Sequence, residues 1–103
     1  MVENYLSRAH QTFQNWRSTD IKERTDLFKQ LAENLLKNKE SYSTLMTQEM
    51  GKPISQSRAE IEKCALLTDF YVTNVDEFLA DELIETDASE SFISYDPLGC
   101  ILG

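Results

Sequence analysis

The chain has 103 residues and an apolar share of 41%, enough for one domain with a modest core. No apolar run nears the roughly 20 residues a membrane span requires. The net charge of −8 is uneven: residues 1–63 hold all ten Lys and Arg against nine acids, and residues 64–103 hold nine acids and no base, which argues against nucleic acid and against a pyrophosphate on the second segment.

That acidic stretch reads first as solvated surface and second as a face that meets a basic partner. The opening Met1-Val2-Glu3-Asn4 lacks the basic head and apolar run of a signal peptide, so a cytoplasmic protein is expected. Cys64 and Cys100 show no metal-ligand spacing, and a cytosolic setting disfavours a disulfide. His10 is the single histidine, so neither a His-based metal site nor a catalytic triad can be assembled from these residues.

Leu6, Ala9, Phe13 and Trp16 recur at spacings of three, four and three, which predicts a helix over about residues 4–17 with Trp16 as a core anchor. Ser18, Thr19 and Asp20 then offer N-cap oxygens to a second helix, about residues 20–37. Leu27, Phe28, Leu31, Ala32, Leu35 and Leu36 form its expected buried stripe. Lys22, Glu23, Lys29, Glu33 and Lys37 fall mostly on a solvated side. Asn38 breaks the run and can cap a third helix, about residues 39–50, with Tyr42, Leu45 and Met46 facing inward.

Glu49-Met50-Gly51-Lys52-Pro53 is a corner between two helices. Gly51 can take the left-handed conformation that closes one helix, and Pro53 can open the next. Ser57-Arg58-Ala59-Glu60 fits a capping box, although the fourth helix can equally start near Ile54. Ile61, Cys64, Ala65, Thr68, Tyr71, Val72 and Val75 line one side of it, so Cys64 is expected to be a buried, inert thiol. Phe78 and Leu79 suggest a last turn of helix. Leu83–Thr86 and Ser91–Tyr95 read as strands joined by a turn at Asp87–Glu90. Asp96-Pro97-Leu98-Gly99 is a further break, and Cys100-Ile101-Leu102-Gly103 is a third apolar run. Strands with so little cover leave open edges.

Three blocks carry a family resemblance. The first is the amphipathic start ending at Phe13 and Trp16, with Glu23-Arg24 and the leucine stripe after it. The second is Glu49–Pro53, with Ser57, Ala59-Glu60 and the Ile61–Tyr71 face. The third runs from Thr86-Asp87 through Tyr95-Asp96-Pro97-Leu98-Gly99-Cys100-Ile101-Leu102-Gly103. In this order they resemble the N-terminal part of the NAD(P)-dependent aldehyde dehydrogenases. The wording around Glu49–Pro53, Ala59–Ala65 and Pro97-Leu98-Gly99 looks most like the succinate-semialdehyde dehydrogenase branch.

The resemblance implies a fold that is mostly α with C-terminal β-strands: an N-terminal fragment of an α/β aldehyde dehydrogenase. It divides the chain into a helical segment, 1–80, strands of the oligomerisation arm, 81–98, and the start of a Rossmann-like cofactor domain, 99–103. In a complete relative a cysteine thiolate attacks the aldehyde, an Asn and backbone donors hold the oxyanion, hydride passes to NAD or NADP, and a Glu-activated water releases the acid. The motifs that carry those steps follow this region in the family. Cys64 and Cys100 lie upstream of the family's nucleophile, Glu49 and Glu60 match no catalytic motif, and Gly99 and Gly103 fit no G-x-G-x-x-G spacing. No catalytic, cofactor-binding or metal residue is therefore expected.

The expected function is that of an N-terminal fragment of an enzyme oxidising a small aldehyde, such as succinate semialdehyde, inactive alone and binding neither NAD nor NADP. The alternative is a non-catalytic interaction module that docks on a full-length paralogue or forms a homo-oligomer. A third reading is an independent small acidic helical protein. Neither nucleic acid nor a membrane is expected as partner.

Overall fold

The computed structural model describes residues 1–103. Four helices, α1 (Val2–Trp16), α2 (Ile21–Lys37), α3 (Lys39–Met50) and α4 (Ile54–Leu79), precede two short strands, β1 (Glu82–Leu83) and β2 (Phe92–Ile93). The expected class, mostly α with C-terminal strands, is the class found. Two compact units are present: Lys22–Val75, and Met1–Ile21 together with Asp76–Gly103.

In Lys22–Val75 the corner is built as the residue types require. Gly51 closes α3 with φ 70°, and its N–H donates to the Thr47 carbonyl at 2.9 Å. The Pro53 carbonyl accepts from the N–H of Gln56 and of Ser57, so α4 starts at Ile54 and Ser57 lies inside the helix. The capping-box reading of Ser57–Glu60 is thereby replaced. Ser57 is instead fully buried, and its Oγ shares a 2.9 Å hydrogen bond with Thr47 Oγ1.

The buried positions are Ala32 on α2, Ser43 on α3, and Ser57, Ile61 and Ala65 on α4. Small side chains at these points let helix backbones approach closely. Ion pairs then tie α3 to α4: Arg58 donates twice to the Glu40 carboxylate at 2.9 Å, and Lys39 Nζ donates to Glu62 at 2.8 Å.

The large apolar residues lie outside this seam. Leu27, Phe28, Leu31 and Leu36 are about half exposed, leaving only Ala32 of their predicted stripe buried and Leu35 half-buried. On α3 the inner positions are Ser43, Met46 and Thr47, whereas Tyr42 and Leu45 are exposed. On α4 the inner line is Ser57, Ile61, Ala65, Thr68, Val72 and Val75. Cys64 and Tyr71 fall one residue before a member of that line, so they turn about 100° away from it and are exposed. The expectation of a buried Cys64 is corrected accordingly.

In the other unit α1 buries no residue: Leu6 and Trp16 are exposed, and Ala9 and Phe13 are half-buried. The Ser18 and Thr19 hydroxyls donate backward, to the Asn15 and Trp16 carbonyls, and so satisfy the end of α1 rather than the start of α2. Asn38 behaves alike, its side-chain amide donating to the Asn34 carbonyl instead of capping α3.

The strands pair antiparallel, with Glu82 opposite Ile93 and Leu83 opposite Phe92, and the Ile84 N–H extends the ladder to the Ser91 carbonyl. Both are shorter than their apolar runs. Thr86 Oγ1 takes up the turn, meeting Ser91 Oγ at 2.7 Å and accepting from the Ala88 N–H. Residues 94–103 hold no regular secondary structure, so the third run, Cys100–Gly103, is not a strand here. A strand needs a neighbour for its N–H and C=O groups, and this run has none.

Candidate functional site

Cys64 lies in Lys22–Val75 and Cys100 in the other unit, both exposed. His10 sits on α1, where its Nε2 meets Gln14 Nε2 at 3.2 Å, a contact within one helix turn. Glu60 is bound by Lys52 at 2.6 Å, and that hydrogen bond holds its carboxyl below the usual glutamate range. A glutamate held ionised by an ammonium group is a weak proton acceptor near neutral pH. Glu49 is exposed. No three His, Cys, Asp or Glu side chains are grouped to hold a metal ion.

Cys100 lies on the wall of an open groove of about 400 Å³, lined also by Ala9, Thr12, Phe13, Trp16 and Gly99. Its wall is mostly apolar. Gly99 has φ 114°, a conformation that suits glycine, and a Cβ placed there would meet the Phe13 ring at 3.6 Å. The open side of this glycine thus faces an aromatic ring that Arg17 covers at 5.4 Å. A phosphate cradle would present backbone N–H groups at that point.

The aldehyde dehydrogenase family profile matches residues 1–103, the full length of the chain. This chain belongs to the aldehyde dehydrogenase family.

Among its relatives, a protein of Synechocystis sp. named probable succinate-semialdehyde dehydrogenase, NADP(+), is 45% identical over 101 residues, covering 98% of this chain and 22% of the relative. The succinate semialdehyde dehydrogenase Sad of Escherichia coli, NAD(P)+ by name, is 37% identical over the same shares. Among solved structures, the succinic semialdehyde dehydrogenase of Streptococcus pyogenes in complex with NADP+ matches with a TM-score of 0.82 at 33% identity, over 88% of this chain and 20% of that one. Gox0499 matches with a TM-score of 0.90 at 24% identity, over 94% and 22%, and supports the fold alone. The aldehyde dehydrogenase chain described here therefore spans about a fifth of the length of the relatives it matches.

Two residues of structural weight, Ser43 and Ser57, were not legible as core. Their signal is faint: serine at positions where the leucine pattern points elsewhere. Both are fully buried, and the Ser57 hydroxyl meets Thr47 Oγ1 of α3 at 2.9 Å. No helix is long and apolar enough to cross a membrane.

Proposed function

We propose that these residues form the N-terminal scaffold of an aldehyde dehydrogenase that oxidises a small aldehyde, of the succinate-semialdehyde class, to its acid with NAD or NADP. By themselves they supply no reacting group and hold no dinucleotide. The observation that carries this reading is the match of the full chain to about a fifth of its relatives. The exposed large side chains around a core of small ones support it, as does the Phe13 ring beside Gly99 where a phosphate would need backbone donors. On this reading the chain divides into a helical segment, 1–80, arm strands, 81–98, and the entry to the cofactor domain, 99–103, and it works in the cytoplasm.

An assay of the purified chain with succinate semialdehyde and either oxidised cofactor tests it. The expected result is no reduction of NAD or NADP and no saturable change in fluorescence on titration with either. Steady turnover that persists in the Cys64→Ser, Cys100→Ser double variant would overthrow the reading.

A second reading, a module that docks on a full-length paralogue, is favoured by the exposed hairpin side chains Leu83 and Phe92. Mixing with an intact relative at micromolar concentration should then raise its oligomeric mass. No shift counts against docking of this kind.

A further inference from the structure

No further inference is drawn: the strongest candidate, the open groove between α1 and Gly99-Cys100 with an exposed thiol on its wall, rests on a lone cysteine beside a mostly apolar surface, and nothing in the structure shows what fills it.

Discussion

Lys22–Val75 holds every fully buried side chain of the protein, whereas Met1–Ile21 with Asp76–Gly103 holds none. The two are similarly rich in apolar residues, so composition is not the cause. The first has helices with small residues at the positions where backbones meet, and bonds such as Thr47–Ser57 and Arg58–Glu40 that fix them there. The second has one amphipathic helix and a hairpin of two-residue strands, too little surface to enclose anything. Apolar residues make a core only when a second layer covers them.

This contrast breaks most directly at Ile61, the only large side chain among the buried positions. Ile61→Ala should cost about 2–4 kcal/mol in urea unfolding, while Leu6→Ala, on the exposed face of α1, should stay within about 0.5 kcal/mol. Equal effects would erase the distinction between the units.

A smaller loss is expected at the corner. Gly51→Ala meets no steric neighbour but forces a Cβ into a left-handed backbone, so the midpoint should fall by the equivalent of about 1 kcal/mol.

The buried serines should move in opposite directions. Ser57→Ala removes a partner from Thr47 and should destabilise by about 1 kcal/mol, whereas Ser43 Oγ makes no hydrogen bond, so Ser43→Ala should stabilise by up to about 1 kcal/mol.

The faintest effect is electrostatic. Hydrogen bonds from Arg58, Lys52 and Lys22 hold the carboxyls of Glu40, Glu60 and Asp26 below their ordinary values. Their contribution is therefore complete above the ordinary glutamate pKa of 4.5 and disappears as pH falls through the depressed values. Arg58→Ala should flatten the acid limb of a melting-temperature profile slightly and leave the neutral region almost unchanged, since all these groups face solvent.

Much of the helical pattern was legible. Gly51 and Pro53 locate the corner because their backbone limits are properties of the residues themselves, and the apolar spacing of residues 6–16 and 61–75 marks α1 and α4 whatever surrounds them. Burial was not legible to the same degree. Leucine spacing identifies a face that would be covered, not the neighbour that covers it, so Leu27, Leu31 and Leu45 read as core and stand exposed. Cys64 was misplaced by a single step around α4, and Ser18, Thr19 and Asn38 donate to carbonyls behind them instead of accepting from N–H groups ahead.

Local chemistry, then, was set by the order of residues: where helices start and stop, which segment is acid, which motifs carry the family resemblance. Tertiary structure alone decided that the seam would run through Ala32, Ser43, Ser57 and Ala65. The reason is distance. A backbone preference acts within a few residues, whereas the choice of the smaller side chain for the interior depends on how closely two helices far apart in the chain can approach.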